Sequence, residues 1–153
     1  MSWQYASALT IGDREEQQDR VAIFHLEDRE AHLLVVADGM GGHEDGAAAA
    51  QTVIDIASSR FNPGIIDDPR GFLEKICQDA HNAILALSDN CKSAPGSTCV
   101  IAYLTDKQAY CVHIGDSRLY QFNGGRLMHK TSDHSIAQLM AEQESDLNDE
   151  AGH

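Results

Sequence analysis

The chain has 153 residues and carries 24 Asp and Glu against 11 Lys and Arg, which gives a net charge of −13. This length is that of one domain with a sizeable core. The charge argues against nucleic acid and anionic membranes as partners, and it would repel a phosphate-bearing substrate unless cations were bound. No apolar run could span a bilayer, and the first residues lack the basic and apolar regions of a signal peptide. We therefore expect a cytoplasmic protein without a membrane or nucleic-acid partner.

The N-terminal part of the chain predicts three strands. Residues 3–9 alternate bulky and small side chains, as a half-buried strand does. A second strand is predicted at 21–24 and a third at 32–37, with a polar hairpin connection at 27–30 between them. The third strand is expected to end at Asp38, in a tight turn.

Two helices follow. Alanine-rich helical spacing predicts the first over 44–61, and Asn62-Pro63-Gly64 is expected to stop it. Asp68 is expected to cap the second helix, with Pro69 at its first position. The buried stripe of the second helix is predicted to comprise Leu73, Ile76, Ala80, Ala83 and Leu87. Because both helices have one apolar side, both should pack on a sheet.

The C-terminal part predicts further strands at 98–104, 108–114 and 119–122. Asn123-Gly124 is a hairpin signal that leads into a strand at 126–128. A short helix is predicted at 135–143, followed by an acidic tail. The order of strands, then helices, then strands predicts an α+β fold with antiparallel sheets, and not a parallel βαβ sheet.

The four cysteines, Cys77, Cys91, Cys99 and Cys111, are scattered without C-x-x-C spacing. That spacing disfavours zinc binding and a dense disulfide framework. We expect reduced thiols, mostly buried as small apolar groups.

The stretch around Asp38 is the strongest chemical signal. An apolar strand delivers a carboxylate that is followed at once by Gly39. A glycine has no Cβ, so a backbone carbonyl or a ligand can come close. A strand-end carboxylate beside an exposed carbonyl suits a hard cation such as Mg²⁺ or Mn²⁺. Taken alone, however, the stretch could equally be an ordinary turn with an Asp in it.

Other residues add to that signal. Asp116 follows Ile114-Gly115 and repeats the logic of an acid at a strand end, and Asp19 lies four residues before Ile23. Arg14 could form a solvated ion pair with these acids, or it could grip a phosphate with its planar fork. Together these residues suit metal-assisted hydrolysis of a phosphate ester.

Four motifs in one order then resemble a known family, the metal-dependent protein phosphatases of the protein phosphatase 2C type, in their bacterial form. The motifs are Arg14-x-x-x-Gln18-Asp19, the run from Val36 to His43, Gly96-Ser97-Thr98, and the run from His113 to Tyr120 with Thr131 to Ser135. The resemblance covers nearly the whole chain. It implies an antiparallel two-sheet β-sandwich flanked by helices (αββα). Residues 1–153 would form a single phosphatase domain that is incomplete, its N-terminal part.

The resemblance also implies roles. Asp38 would bridge two metal ions, the Gly39 carbonyl would ligate one of them, and Asp19 would bind metal directly or through water. Arg14 would hold the substrate phosphate, and Asp116 matches an acid that can hold a third ion. The chain departs from the family pattern at two positions. Gln18 stands where many members carry Glu, and Met40 stands where some members carry His.

The function implied is hydrolysis of phosphoserine and phosphothreonine in proteins by a metal-activated water. The cofactor would be Mn²⁺ or Mg²⁺, as two or three ions in the complete domain. Partners would be phosphorylated proteins, the substrates of a Ser/Thr kinase, and the complete protein would be a monomer. The alternative is a truncated, non-catalytic module that binds metal or a phosphoprotein without turnover.

Overall fold

The structure is a computed structural model that describes residues 3–27, 30–41, 43–62, 66–89 and 94–134. In these ranges the chain forms seven strands and two helices. In chain order they are β1 (Asp19–Leu26), β2 (Ala31–Met40), α1 (His43–Phe61), α2 (Pro69–Ser88), β3 (Gly96–Ser97), β4 (Cys99–Leu104), β5 (Ala109–Ile114), β6 (Tyr120–Asn123) and β7 (Arg126–Lys130).

The strands form two antiparallel sheets. The larger has the order β1-β2-β4-β5, and β3 pairs with the last two residues of β2. The smaller is the β6–β7 hairpin. The prediction of an α+β fold with antiparallel sheets is therefore confirmed.

Both helices lie on one face of the larger sheet, as their apolar stripes predicted. Helix α1 packs on β1 and β2, while α2 packs on α1 and contacts β4 and β5. Every second residue of β2 points into this layer, so Ala31, Leu33, Val35 and Ala37 are all buried. Phe61 closes the core at the end of α1, where it meets the rings of Phe24, Phe72 and Tyr103.

Helix α2 begins as predicted. The Asp68 carboxylate accepts a hydrogen bond from the Gly71 amide at 3.2 Å, and Pro69 occupies the first helical position. Of the predicted stripe, Leu73, Ile76 and Ala80 are buried. The last two members, Ala83 and Leu87, are only half-buried.

Two predictions of local structure were wrong. Residues 3–9 form no strand, because alternation alone supplies no partner for the backbone, and in the described chain β1 is the edge of its sheet. Strand β2 does not end at Asp38 but continues to Met40, since β3 provides two more pairs. The hairpin predicted from Asn123-Gly124 is confirmed, and its two turn residues are Gly124 and Gly125, since Asn123 still pairs with Arg126. Both glycines have positive φ, 57° and 78°, as the tight turn requires.

The expectation of mostly buried cysteines was also wrong. Cys99 is buried, but Cys77 is only partly so, and Cys111 on the edge strand β5 is exposed. Cys91, the helix predicted at 135–143 and the acidic tail lie outside the described residues. In the part of the chain that the structure describes, no helix is long and apolar enough to cross a membrane.

Candidate functional site

Two carboxylates face each other at one end of the larger sheet. Asp19, the first residue of β1, is the direct cross-strand partner of Asp38 in β2, and both are half-buried. Their side chains are in hydrogen-bonding contact. Burial, this contact and the negative charge of Asp19 all raise the pKa of the Asp38 carboxyl. The Asp38 carboxyl therefore holds a proton more tightly than an exposed acid does, because the nearby positive charge of Arg14 does not outweigh these effects.

The two other residues proposed from the sequence lie within electrostatic reach of this pair. The charge of Asp116, exposed in the loop after β5, adds to the rise in the pKa of Asp38, while Arg14 opposes it. Arg14 is exposed in the segment before β1, where its amide donates to the Ile11 carbonyl at 3.2 Å. Among the described residues, however, no group of three or more His, Cys, Asp or Glu side chains is arranged to hold one ion. The structure thus brings Asp19 and Asp38 into contact and leaves Asp116 at longer range.

Thr98 fixes the position of Asp38. Its hydroxyl accepts a hydrogen bond from the Asp38 amide at 2.9 Å, and its own amide donates to the Asp38 carbonyl at 2.9 Å. The same hydroxyl lies 2.6 Å from the Ser117 hydroxyl. Buried Thr98 therefore ties the strand that carries Asp38 to the loop that carries Asp116. The motif Gly96-Ser97-Thr98 marked this position in the sequence as structural, and the structure shows which contacts Thr98 makes.

Gly39 permits a close approach next to Asp38, as the sequence predicted. A Cβ at Gly39 would lie 1.9 Å from the Gly46 carbonyl oxygen of α1. The Gly39 amide donates to the Gln18 carbonyl at 3.1 Å, and a Cβ at Gly46 would lie 2.7 Å from Gln18 Oε1. The first turns of α1 are thus seated against the acid-bearing ends of β1 and β2. Gly46 was not predicted from the sequence. Its position inside a predicted helix was a signal for it, because glycine is a poor helix former.

The Asp116 loop is held from the other side by residues 131–134. Gly115 has φ +98°, and a Cβ there would lie 2.8 Å from Thr98 Cγ2. Its amide donates to His134 Nδ1 at 3.3 Å, and its carbonyl accepts from the His134 amide at 2.9 Å. Arg118 adds a two-pronged bond to Asp133, at 2.9 and 2.7 Å, which lowers the pKa of the Asp133 carboxyl. The loop therefore has a defined shape next to the acid pair.

This arrangement of paired strand-end acids, a glycine-seated helix and a clamped Asp-bearing loop can be compared with known proteins. The sequence profile of protein phosphatase 2C matches residues 10–149. The chain belongs to the protein phosphatase 2C family.

Curated relatives of the chain are bacterial phosphatases. The serine/threonine phosphatase stp of Listeria innocua is 27% identical over 129 residues, which are 80% of this chain and 51% of that protein. The protein phosphatase PhpP of Streptococcus pneumoniae is 31% identical over 108 residues, which are 68% of this chain and 44% of that protein. The chain thus spans about half the length of these relatives.

Solved 2C-type structures match the fold. The serine/threonine phosphatase Stp1 of Staphylococcus aureus superposes with a TM-score of 0.76 at 28% identity, over 87% of this chain and 54% of that one. The catalytic domain of PstP, solved in complex with two manganese ions, gives a TM-score of 0.73 at 28% identity, over 86% and 55%. The predicted family and fold class are confirmed by these matches.

Proposed function

We propose that residues 1–153 supply the N-terminal part of the active site of a metal-dependent phosphatase that hydrolyses phosphoserine and phosphothreonine in proteins. The observation that carries this proposal is the contact between Asp19 and Asp38, which raises the pKa of Asp38. Two carboxylates held together by cross-strand pairing favour either a shared proton or a cation between them. The family match favours the cation.

The donor set fits a hard divalent ion. Carboxylate and carbonyl oxygens are the ligands that Mn²⁺ and Mg²⁺ prefer. We assign Asp19, Asp38, the Gly39 carbonyl and Asp116 as ligands, with Asp116 serving the most weakly held ion. Bound cations would lower the pKa of a water and neutralise charge on the phosphoryl group. Thr98 keeps Asp38 in place by accepting a hydrogen bond from the Asp38 amide with its hydroxyl and donating its own amide to the Asp38 carbonyl, and this fixes where that charge is held.

Arg14 is assigned to the substrate phosphate. It lines an open cleft of about 380 Å³ together with Glu15, Glu16 and Gln18. Its guanidinium can grip two phosphate oxygens at once. The ion pairs among the described residues, Arg60–Asp79, Lys75–Asp79 and Arg118–Asp133, do not include it. Because the cleft also contains two glutamates, Arg14 must work with the cations to attract a phosphate dianion.

The substrates that follow are phosphorylated proteins made by a Ser/Thr kinase, and the proposed location is the cytoplasm. Two relatives are named serine/threonine phosphatases, which supports this substrate class. The solved PstP complex contains manganese, which favours Mn²⁺ as the first ion to test. The competing function, a module that binds metal or a phosphoprotein without turnover, differs only in the rate of hydrolysis.

The first experiment is a calorimetric Mn²⁺ titration of the chain and of Asp38→Asn. We expect the substitution to weaken Mn²⁺ binding at least tenfold, about 1.4 kcal/mol or more, because it removes a charged ligand from a site with few ligands. Asp106→Asn, in the exposed turn between β4 and β5, is the matched control and should bind as the unaltered chain does. Equal affinity in Asp38→Asn would refute the assignment.

The second experiment addresses Arg14. Arg14→Ala should raise KM for a phosphopeptide and lower kcat/KM, with Mn²⁺ affinity unchanged or slightly higher. Removal of a positive charge near Asp38 cannot weaken cation binding by direct repulsion. Arg126→Ala in the exposed hairpin is the control. A collapse of Mn²⁺ affinity would instead mean that Arg14 holds the acids in place.

The third experiment measures turnover by residues 1–153 in millimolar Mn²⁺. We expect phosphopeptide hydrolysis on the order of 10²-fold or more slower than by a relative such as Stp1, because the described residues bring only two carboxylates into contact. Phosphate monoester hydrolysis is among the slowest uncatalysed reactions and needs a well-formed site. Turnover equal to the relative's, and abolished by Asp38→Asn, would contradict this expectation.

A further inference from the structure

Two cysteines that are 22 positions apart in the sequence meet where α2 packs on β4. Cys77 lies in the middle of this helix and is half-buried, while Cys99 is the first residue of β4 and is 5% exposed. The two cysteines line the same groove, and a side-chain hydrogen bond between their thiols shifts the pKa of each. Both are free thiols. The pairing results from the packing of α2 over β4.

A groove gives solvent access to this pair. It has a volume of about 290 Å³, and both cysteines line it. Its other walls are largely apolar and include Ile84, Leu85 and Ile114. A small neutral oxidant such as hydrogen peroxide can enter a groove of this size and polarity, whereas a bulky or charged oxidant is disfavoured.

We propose that Cys77 and Cys99 form a reversible disulfide when the protein meets hydrogen peroxide. The Cys77 thiolate attacks one peroxide oxygen, the O–O bond breaks, and the departing hydroxide takes up the proton released by Cys77 to give water. The sulfenic acid formed at Cys77 is then attacked by the Cys99 sulfur. The S–O bond breaks, and the hydroxide leaves with the Cys99 proton as a second water. Two thiols lose two electrons in total, and peroxide gains them.

The division of roles follows from burial, since Cys77 is half-buried and Cys99 is 5% exposed. The hydrogen bond from Cys99 lowers the pKa of the Cys77 thiol, and its effect exceeds the opposing effects of burial and of the Glu74 charge. The same contact, together with burial, raises the pKa of the Cys99 thiol. The more accessible sulfur is therefore the more easily ionised one, as a nucleophile should be. Cys99, more deeply buried, is the resolving thiol.

The position of Cys99 connects this pair to the acid site. Cys99 directly follows Thr98, whose hydroxyl and amide each form a hydrogen bond of 2.9 Å to the backbone of Asp38. Formation of a covalent bond draws the two sulfurs closer than their hydrogen-bonded contact. The resulting shift of β4 moves Thr98 and, through it, Asp38. We expect oxidation to weaken Mn²⁺ binding at least threefold. This consequence, unlike the disulfide itself, rests on the proposed metal site.

The test begins with the chain in a Cys91→Ser background, treated with hydrogen peroxide and then alkylated. We expect a linked peptide that contains Cys77 and Cys99 and has two hydrogens fewer than the two free peptides together. Dithiothreitol should fully reverse the link. Cys77→Ser and Cys99→Ser should each abolish the linked peptide, whereas the matched control Cys111→Ser should retain it. A stable sulfenic or sulfinic acid at Cys77 without a linked peptide would overturn the proposal, as would a disulfide that requires Cys111.

The second measurement is a Mn²⁺ titration of the reduced and the oxidised protein, with Cys77→Ser carried through the same peroxide treatment. Weaker binding after oxidation, with no change in Cys77→Ser, supports the connection through Thr98. Equal affinity in both states of a protein that contains the mapped disulfide would refute the connection. If the reduced protein does not bind Mn²⁺ at all, the proposed function fails, while the peptide mapping still decides the disulfide.

Discussion

The two ends of the β1–β2 ladder carry like pairs with opposite outcomes. At one end Asp19 faces Asp38, and at the other His25 faces His32 on the same face of the sheet. The imidazole rings stack at 4.4 Å and 9°, and Trp3 and Tyr5 contact the His32 ring. His32 is 4% exposed, and its burial lowers the pKa of its imidazole, which favours the neutral ring of His32. The acid pair has no such simple solution at neutral pH.

The difference shows how a sheet tolerates two titratable groups in one cross-strand pair. A buried histidine such as His32 can lose its charge near neutral pH and pack its flat ring against a neighbouring ring, so this pair makes a packing contact. Carboxylates remain close to ionised and repel each other unless a proton or a cation lies between them. The same register therefore yields a packing contact at one end of the ladder and a candidate binding site at the other.

The largest expected effect on stability comes from disturbing the close contact between Gly39 of β2 and Gly46 of α1. Gly39→Ala would place a Cβ 1.9 Å from the Gly46 carbonyl oxygen, and this clash requires α1 to move. We expect a loss of about 3 kcal/mol in the free energy of unfolding, measured with urea. Gly124→Ala is the matched control, because it has a positive φ but no atom within 4 Å. It should lose only about 1 kcal/mol, and equal losses would show that the Gly39 contact is loose.

A smaller effect is expected from replacing Thr98, which forms two hydrogen bonds to the backbone of Asp38. Thr98→Val keeps the shape of the side chain but deprives the Asp38 amide and the Ser117 hydroxyl of their partner. Since Thr98 is buried, we expect a loss of about 2 kcal/mol in the free energy of unfolding, with weaker Mn²⁺ binding. The control is Thr52→Val, whose hydroxyl bonds the Ala48 carbonyl on the exposed side of α1. There the change should stay within about 0.5 kcal/mol.

The pH dependence separates the two ends. Because the pKa of folded His32 is lowered from 6.5, the unfolded chain takes up a proton first as the pH falls. The contribution of His32 to stability is therefore complete above pH 6.5 and declines below it, until the folded pKa is reached. His32→Leu should therefore reduce the dependence of the melting temperature on pH below pH 6.5. A slope unchanged from that of the unaltered chain would mean that other groups cause the decline.

The acid end should respond in the opposite direction. The pKa of folded Asp38 is raised above 3.8, so its protonation stabilises the folded state. That stabilisation is complete below pH 3.8 and is lost as the pH rises through the folded pKa. Asp38→Asn should therefore raise the melting temperature at neutral pH in the absence of divalent ions, and Asp106→Asn should not. A lower melting temperature in Asp38→Asn would show that the Asp38 carboxylate is stabilising without a cation.

Much of the fold was predictable because it is written in short-range periodicity. The spacing of apolar residues located α1 and α2, and the Asp68-Pro69 pair located the start of α2 to the residue. Runs of β-branched residues located the cores of β1, β2, β4 and β5. The failures occurred where a pattern needed a distant partner. Residues 3–9 alternate but pair with no strand in the part of the chain that the structure describes, and β2 gains two residues only because β3 pairs with them.

The sequence by itself determined the family, the α+β class and the identity of the acids at the strand ends. These three features depend on residue types and on their local order, and both can be read directly from the sequence. Only the tertiary structure decided that Asp19 contacts Asp38, that Thr98 joins β2 to the loop that carries Asp116, and that Cys77 meets Cys99. Each of these contacts depends on strand register or on how a helix lies across a sheet. Register and packing are set by the whole core at once, so no window of sequence contains them.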